Sequence, residues 1–567
     1  MGIFDYESEQ AIGIVNSVDT STVVISVEDD SKLKQLQVNH LLVIRSSKTS
    51  QHLIAIVSKI LRKSMIEQIS DEEQQVAVEN IIKATLIGTH IDKIGAQDNV
   101  FKRTLESVPE INAECFVLNG ERLTSFMQAI SNQTASSATP LSLGKYILDE
   151  DAEAWLDGNK FFQRHAVVVG STGSGKSWSV ARLLEQVSEL ESANALILDI
   201  HGEYGSMNTE GFHHYKVAGP NDQPDDNTIY LPYWLLTYEE MLSMLLDRSD
   251  SNAPNQAMMF SNTVLKYKEA MLREIGQFDE YASFTLDSPI PYKMDAVIEY
   301  LNEKDTEMVQ GAKSEKQGPF NGKLTRFIQR LNAKISDKRL SFLFNTSENL
   351  LQMTYLDEII EKLIGCESKI KKGVKIIDFS EVPSDILPLI IGLVTRIIFS
   401  IQQWTDKQSR HPIALFCDEA HLYIPSNATN NIDATANQIF ERIAKEGRKY
   451  GVGLVVISQR PSEVNRTVLS QCNNFVALRL TNIEDQNVVK RLLPDSLGNF
   501  ADLLPILDIG EAIVVGDSSL LPSRIKIQKP TLKPTSGTID FWDEWSKDNI
   551  KTSIPVAIKA LRKQSKI

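Results

Sequence analysis

Residues 160–530 of this sequence are predicted to adopt an α/β fold built on a mainly parallel sheet. Short apolar, β-branched runs alternate there with segments of helical periodicity, which is the pattern of β–α–β units. Between the second and third of these runs, residues 234–365 carry mostly helical periodicity, which predicts a helical insertion in the core. The predicted strands are 166–169, 195–199, 373–378, 413–417, 453–458, 475–480 and 511–515.

A different pattern precedes this core. Residues 1–130 contain short β-branched runs separated by polar turns, which predicts a small N-terminal β-barrel that could dock a partner. The stretch 125–140 is rich in Ser, Thr, Ala and Asn and is typical of a linker, and the linker is assigned to residues 131–159. The core is assigned to 160–233 and 366–530, and 531–567 form a C-terminal arm. The runs in the barrel region are 11–15, 22–27, 41–45, 53–60 and 84–88.

The composition is that of a soluble globular protein of several domains. The chain has 567 residues, 42% of them apolar, and a formal charge of -15, which opposes unspecific adhesion to nucleic acid over the whole surface. Any contact with DNA is therefore expected to be local. The start of the chain shows no export signal, and no apolar run is long enough for a membrane span. The cysteines lack metal-site spacing, which favours reduced thiols in a cytoplasmic protein; they are Cys115, Cys366, Cys417 and Cys472.

A glycine-rich loop follows the first predicted strand of the core and precedes a helix. Its glycines let backbone N–H groups approach phosphate without obstruction by a Cβ, and the helix directs its positive end at the same place. Lys176 is expected to neutralise the β- and γ-phosphates of ATP, and the Ser177 hydroxyl is suitably placed to ligate Mg²⁺. The predicted nucleotide contacts are Gly170, Ser171, Thr172, Gly173, Ser174, Gly175, Lys176, Ser177 and Trp178.

Two predicted strands end in carboxylates. The run 413–417 is followed by Asp418 and Glu419, the pattern of a Walker B strand. Asp418 is expected to hold Mg²⁺, and Glu419 to act as the general base on the attacking water. The strand 195–199 ends in Asp199. Because ligands bind beyond the carboxyl ends of parallel strands, we expect these acids to converge on one crevice.

A glutamine stands at the tip of another predicted strand. Gln459 follows the run 453–458 directly. Its amide can bond to the γ-phosphate or to the attacking water, and so report which nucleotide is bound. An exposed side chain without such a role is the alternative for this residue.

The motifs GSTGSGKS, DIHGEY, FCDEAHLYIP, EGRKYGVGL and SQRP together resemble the HerA family of hexameric DNA-translocating ATPases, which are relatives of FtsK. The resemblance covers about residues 160–530. It implies a RecA-like P-loop ATPase core that is preceded by a small barrel and capped by a helical insertion. ATP and Mg²⁺ are the cofactors that it implies.

The resemblance also implies arginines that stabilise the charge on the transferred phosphate, one of them supplied by the adjacent subunit. The candidates are Arg164, before the first core strand, and Arg448 or Arg442, after Walker B. Leu521 and Pro522 lie near the nucleotide in relatives and are predicted to contact it here. The polar run 426–433 departs from the family pattern and leaves the choice among the arginines open.

The leading functional hypothesis is a homohexamer that couples ATP hydrolysis to movement along double-stranded DNA. The resemblance implies a partner, either a nuclease or a sirtuin-like NAD-hydrolysing effector, in DNA-end processing or antiphage defence. The alternative is a ring scaffold that uses ATP to assemble and activate an effector without needing translocation. A secretion or conjugation ATPase of related fold is disfavoured, because the sequence shows no membrane anchor.

A basic stripe runs along one predicted helix of the insertion. Its members recur at helical spacing, opposite Leu324, Phe327, Ile328 and Leu331. One interpretation is a solvated face, and the other is a surface that contacts DNA phosphates inside a ring. The stripe consists of Lys323, Arg326, Arg330 and Lys334.

Overall fold

The structure is a computed structural model of the chain, and it divides into two compact units. The first unit comprises Met1–Leu183, Ser458–Ser462 and Leu469–Thr531; the second comprises Leu184–Ile457, Glu463–Val468 and Leu532–Ile567. The last segment of the first unit ends one residue after the predicted core boundary at 530, whereas no division between the units falls at the boundaries predicted for the barrel, the linker or the insertion. The described residues are 4, 6–34, 36–48, 50–70, 73–92, 100–134, 140–311, 314–365, 373–493, 498–535, 539–547 and 553–564. Cys366 and the predicted boundary at residue 366 lie outside them.

The amino-terminal part of the first unit is antiparallel. Its elements are β1 (Gly13–Val18), β2 (Thr22–Val27), α1 (Asp30–Leu33), β3 (Leu41–Arg45), β4 (Gln51–Ser70), β5 (Glu73–Ile91), β6 (Val100–Lys102), β7 (Glu114–Val117) and α2 (Gly120–Thr134). Among the described residues, the strands follow the order β2-β1-β7-β3-β4-β5, and β5 pairs back onto β2. In β2 this closure buries alternate side chains, such as Val23 and Ile25, whereas β3 buries four of its five. The predicted small barrel is confirmed.

The chain beyond the barrel continues as an α/β fold. Its elements, in order, are β8 (Leu141–Tyr146), β9 (Glu153–Leu156), α3 (Gly158–Gln163), β10 (Ala166–Val169), α4 (Lys176–Ser188), β11 (Ala195–Asp199), β12 (Phe212–Val217), β13 (Thr228–Ile229), α5 (Tyr238–Leu245), α6 (Ala253–Ile275), α7 (Phe278–Tyr281), α8 (Met294–Thr306), β14 (Met308–Gln310), β15 (Glu315–Gln317), α9 (Thr325–Ser336), α10 (Ser341–Phe344), α11 (Thr354–Ile364), β16 (Val374–Asp378), α12 (Leu387–Trp404), β17 (Ile413–Cys417), α13 (Asn431–Glu446), β18 (Val452–Ser458), α14 (Arg466–Gln471), β19 (Asn474–Leu478), α15 (Ile483–Leu492), α16 (Gly498–Ala501), β20 (Glu511–Gly516), β21 (Ser523–Ile527), α17 (Phe541–Trp545) and α18 (Ile554–Lys563).

The stretch predicted as a linker, 131–159, instead contains regular structure. Helix α2 extends to Thr134, whose hydroxyl donates to the carbonyl of Ile130, and it buries Phe126 and Met127. Strands β8 and β9 follow, and β8 pairs with β21 in the first unit. The prediction was wrong because the polar composition of the stretch hid these short, locally paired elements. Residues 135–139 lie outside the described residues.

In the first unit, the strands of the α/β part follow the order β10-β19-β20-β21-β8-β9. Strands β10 and β19 are parallel, from Ala166↔Asn474 to Val169↔Ala477. The strands beyond β19 are antiparallel to their neighbours. All of β10 is buried, so that the loop following it starts from a fixed point.

In the second unit, the strands follow the order β13-β12-β16-β11-β17-β18, and all of these pairs are parallel. Strand β11 is buried throughout, as expected for a strand covered on both faces. The predicted α/β fold with a mainly parallel sheet is confirmed. Strands β12 and β13 were missed, because the sequence FHHYKV carries polar residues at consecutive positions and β13 has only two residues.

Residues 234–365 of the second unit form helices α5 to α11 and the small β14–β15 hairpin. Helix α9 buries Phe327, Ile328 and Leu331, as its periodicity predicts. Its basic stripe is partly neutralised: Arg330 pairs with Asp247 at 3.0 Å, and Lys334 with Asp385 at 3.7 Å. These ion pairs favour the interpretation of the stripe as a structural, partly solvated face.

Helix α12 is the apolar centre of the second unit. Of the helices in the described ranges, it is the one with the length and hydropathy that a membrane crossing needs, although 72% of its apolar window is buried inside the protein. Its Arg396 reaches the buried carboxylate of Glu240 through Nε at 2.6 Å and Nη2 at 2.8 Å. Burial and this bidentate pair are typical of a core helix.

Candidate nucleotide site

The phosphate loop of the first unit connects β10 to α4. A Cβ on Gly170 would lie 2.4 Å from Ser174 Oγ and 2.9 Å from Leu478 Cβ, so only glycine fits there. Gly175 has a φ of +100°, a conformation that strongly favours glycine. Helix α4 begins at Lys176, so its free N–H groups point toward the loop. The loop therefore has the backbone that phosphate binding requires.

Several neighbours in the first unit fix the shape of the loop. The N–H of Ser171 donates to the carbonyl of Arg479 at 2.8 Å, and the N–H of Gly510 donates to the carbonyl of Ser174 at 2.9 Å. The Thr172 hydroxyl donates to Gln459 Oε1 at 2.7 Å. The tip glutamine is thus joined directly to the loop, as a residue that reports on bound phosphate requires.

The first side chains of α4 differ in their environment. Lys176 is buried, whereas Ser177 and Trp178 are half-buried. The Lys529 ammonium lies 5.9 Å from the centre of the Trp178 ring. Trp178 therefore presents an aromatic surface immediately after the residues predicted to bind phosphate.

In the second unit, the strand register brings acidic residues together. Strands β11 and β17 pair in parallel with Leu198 opposite Cys417, so Asp199 and Asp418 occupy the next positions on adjacent strands. On the other side of β11, Asp199 is paired with Asp378 of β16. Adjacent strands lie about 4.8 Å apart, so three carboxylates share one edge of these strands. Asp199 and Asp418 come together as predicted.

Asp199 holds a turn rather than an open ligand position. Its Oδ1 accepts from the N–H groups of Gly202 at 2.8 Å and Glu203 at 3.0 Å, and its Oδ2 accepts from the N–H of Tyr204 at 3.0 Å. Burial raises the pKa of this carboxyl, and the neighbouring Asp378 carboxylate adds to that effect. Asp199 is thus held by backbone donors of the turn that follows it, and its predicted part in the nucleotide site stays a prediction.

Asp418 and Glu419 are both buried at the end of β17. Glu419 has a φ of 44° and a ψ of 45°, the left-handed region, which costs a residue other than glycine about 1–3 kcal/mol. Its Oε2 lies 3.3 Å from His421 Nδ1. Strain of this kind persists where the surrounding structure demands one side-chain direction, and it is frequent at catalytic residues.

Arg164, Leu521 and Pro522 lie away from the phosphate loop of their own chain. Arg164 precedes β10 and forms an ion pair with Asp517, whereas the loop follows the other end of that strand, roughly 15–20 Å away. Strand β21 meets Gly510 at Ile527, so Leu521 and Pro522 precede its distant end. The structure therefore does not place these residues at the phosphate loop of the same chain, and their contact with a nucleotide stays a prediction.

The two arginines after Walker B differ in their partners. Arg442 is held within the second unit by Gln403 at 3.2 Å and Glu446 at 3.8 Å, and its guanidinium lies over the Phe399 ring. Arg448 is exposed in a 3-10 helix, and no residue in the described part of the chain pairs with its side chain. Arg448 is thus the arginine that is available to a neighbouring molecule.

Sequence reasoning missed three residues near the carboxylates. Asp378 ends an apolar strand, the same signal that identified Asp199 and Asp418. His421 and Tyr204 belong to the quoted motifs DEAHLY and DIHGEY, but neither stands at a strand end. Tyr204 is fully buried, and the pKa of its hydroxyl is raised well above the ordinary value by burial and by the Asp418 carboxylate.

Comparison with known proteins decides the family. A model of the central domain of helicase HerA matches residues 141–398, and a model of the HerA-like C-terminal domain matches residues 401–540. The chain belongs to the HerA family. Given its phosphate loop and Walker B strand, this HerA-family chain is an ATP-hydrolysing enzyme.

Individual HerA proteins are similar over most of their length. The DNA double-strand break repair helicase HerA of Pyrococcus furiosus is 25% identical over 451 residues, which cover 72% of this chain and 74% of that protein. Its counterpart in Sulfolobus acidocaldarius is 27% identical over 422 residues, which cover 73% and 74%. A solved structure of the bacterial conjugative coupling protein TrwB is 13% identical and covers 74% of this chain and 94% of its own, with a TM-score of 0.46.

Proposed function

We propose that this chain is an ATP-driven motor that forms a homo-oligomeric ring, a hexamer as the resemblance implies, and moves along double-stranded DNA. The observation that carries the proposal is the strained, buried Glu419 directly after Asp418, in a chain whose first unit also holds a complete phosphate loop. HerA membership over residues 141–540 supports it. The relatives named as DNA repair helicases make duplex DNA the expected substrate.

The site residues have different roles in ATP hydrolysis. Lys176 and the loop amides bind the β- and γ-phosphates. Glu419 takes a proton from the attacking water, since it is the carboxylate that the backbone holds in a fixed direction. Gln459, bonded to Thr172, changes partner when the γ-phosphate leaves and so signals the nucleotide state.

Mg²⁺ fits the donors that the chain offers. Ser177 of the first unit offers a hydroxyl, and Asp418 of the second offers a carboxylate; both are hard oxygen donors of the kind that this ion prefers. When bound, the ion would neutralise charge that develops on the phosphate oxygens. Asp418 is itself buried and directly follows the last residue of β17.

We assign Arg448 as the residue that completes the site of an adjacent subunit. Replacing Arg448 with alanine is expected to lower ATP turnover by roughly 100-fold, because one donor to the transition state is lost. Mixing this variant with a Lys176→Ala chain, which keeps Arg448, is expected to restore part of the turnover. Arg442→Ala is the matched control, since its guanidinium has partners in its own chain.

If the mixed subunits recover no ATP turnover, the assignment of Arg448 to the site of an adjacent subunit is contradicted. An Arg448→Ala chain as active as wild type would contradict it as well. A larger loss in Arg442→Ala than in Arg448→Ala would transfer the role to Arg442. The measurement in each case is phosphate release at saturating ATP, with the mixing ratio varied.

The partner and the setting belong to the same proposal. The ring is expected to work in the cytoplasm with a nuclease or an NAD-hydrolysing effector, in DNA-end processing or antiphage defence. The barrel, which is a closed fold in its own right, offers the docking surface. The net charge of -15 suits a motor that holds DNA only locally.

A ring scaffold is the second candidate, and one observation favours it. The ion pairs of Arg330 with Asp247 and of Lys334 with Asp385 reduce the charge that α9 can offer to DNA phosphates. In this alternative, ATP binding assembles a ring that activates an effector, and movement along DNA is not needed.

Duplex DNA separates the two candidates. For a motor, linear double-stranded DNA is expected to raise the rate of phosphate release severalfold, because translocation couples each turnover to DNA. The stimulation should weaken as salt is raised, since phosphate contacts release counterions. Turnover that is identical with and without DNA at low salt would favour the scaffold.

A further inference from the structure

Tyr204 combines complete burial with an unused polar group. Its relative exposure is 0%, and within the described residues its hydroxyl has no hydrogen-bond partner. A buried hydroxyl without a partner is costly and uncommon in folded proteins. The side chain therefore calls for an explanation other than packing.

The backbone of Tyr204 is tied to the acidic strand ends. Its N–H donates to Asp199 Oδ2 at 3.0 Å, and Asp199 lies beside Asp418 in the parallel register of β11 and β17. The same turn is also bound by Thr535, whose N–H and hydroxyl donate to the carbonyl of Glu203 at 2.7 and 2.9 Å. The turn that carries Tyr204 is thus held by bonds to Asp199 and to Thr535.

The surroundings of the hydroxyl are acidic. The carboxylates of Asp418, Asp199, Glu203 and Glu419 all act on it electrostatically and, together with burial, raise its pKa. A phenol hydroxyl can donate a hydrogen bond, and carboxylates and the waters that they hold can accept one. Donor and acceptors therefore share one buried region of the second unit.

We propose that Tyr204 is a positioning residue for ATP hydrolysis: its hydroxyl donates to a water that Asp418 and Glu419 hold when Mg²⁺ and ATP are bound. The inference rests on the proposed hydrolytic role of these two carboxylates. A single buried water with several polar partners is a usual way to satisfy such a group. Tyr204 acts through this water and does not itself contact the reacting phosphate.

The test is Tyr204→Phe in the full-length chain. We expect kcat for ATP to fall by about tenfold or more, as for other groups that orient metal ligands. The melting temperature without nucleotide should stay equal or rise, because the lost hydroxyl has no partner. The half-saturating ATP concentration should change less than twofold, since the phosphate loop is intact.

A second readout does not depend on turnover. In a Glu419→Gln background, Mg²⁺ and ATP together should raise the melting temperature less when Tyr204 is also replaced by Phe. Without Mg²⁺, ATP should shift both chains equally. An equal shift in the presence of Mg²⁺ would overturn the proposal.

Tyr233→Phe is the matched control. Tyr233 is also fully buried, but its hydroxyl donates to the carbonyl of Tyr292 and accepts from the N–H of Met294 at 3.1 Å. This variant should lose stability and keep kcat, the reverse of Tyr204→Phe. Failure of Tyr204→Phe to fold, or a kcat within twofold of wild type, would contradict the proposal. If wild type and Tyr233→Phe also lack ATPase activity, the proposed function itself fails.

Discussion

Replacing Lys176 with alanine is expected to remove ATP binding and, with it, all measurable ATP turnover. The lysine is the first residue of α4, and it is the buried cation of the phosphate loop. Its charge offsets that of the β- and γ-phosphates, which the backbone N–H groups alone cannot neutralise. Equilibrium binding of a fluorescent ATP analogue and phosphate release together measure the effect.

Lys145→Ala provides the control for this variant. Lys145 is exposed on β8 in the same unit, so its loss changes the net charge equally without touching the loop. Its ATP affinity and turnover should match wild type. Binding of ATP by Lys176→Ala with wild-type affinity would contradict the assignment of the loop.

Replacing Glu419 with glutamine is expected to lower ATP turnover by roughly 10²–10⁴-fold while ATP binding is kept. Glutamine preserves the shape of the side chain but cannot accept the proton of the attacking water. The left-handed backbone at this residue costs the same for both side chains, so the fold should be unaffected. Single-turnover hydrolysis measures the chemical step separately from product release.

Glu484→Gln is the control for the loss of one carboxylate, because Glu484 is exposed in the first turn of α15. It should leave the single-turnover rate unchanged. A Glu419→Gln chain that hydrolyses ATP within threefold of wild type would show that another group is the base. Asp418 would then be the nearest carboxylate to examine.

The fold was predictable where the periodicity of the sequence was undisturbed. The runs 166–169, 195–199 and 413–417 match β10, β11 and β17, because strands buried on both faces leave an unbroken apolar signal. Strand β12 escaped prediction, since consecutive histidines interrupt its pattern. The prediction of a linker was wrong for a related reason, because α2 ends in polar residues that form local hydrogen bonds.

The sequence predicted which residue types form the site, but not which contacts each of them makes. Spacing identified Lys176, Asp418 and Glu419, because the chemistry of phosphate and water dictates those groups. Which bond each group makes depends on the turn that follows it. Asp199 is the clearest case. Its place at a strand end made it a candidate for the nucleotide site, yet its carboxylate accepts hydrogen bonds from the backbone N–H groups of the DIHGEY turn.

The arginines show the same limit. The sequence placed Arg164, Arg442 and Arg448 on equal terms, since each is a cation near a motif. The structure separates them by their contacts: Asp517 binds the first, and Gln403 and Glu446 hold the second. Ion pairs between distant parts of a chain leave no signal in local spacing, so this distinction required the fold.

Displacement of a third strand from a duplex–triplex substrate tests the motor most directly. Wild type, Lys176→Ala and Glu419→Gln are compared on the same linear DNA with saturating ATP and Mg²⁺. The account predicts displacement by wild type alone, at a rate that follows its phosphate release. Displacement by Glu419→Gln at the wild-type rate, or none by a wild-type chain that hydrolyses ATP, would contradict it.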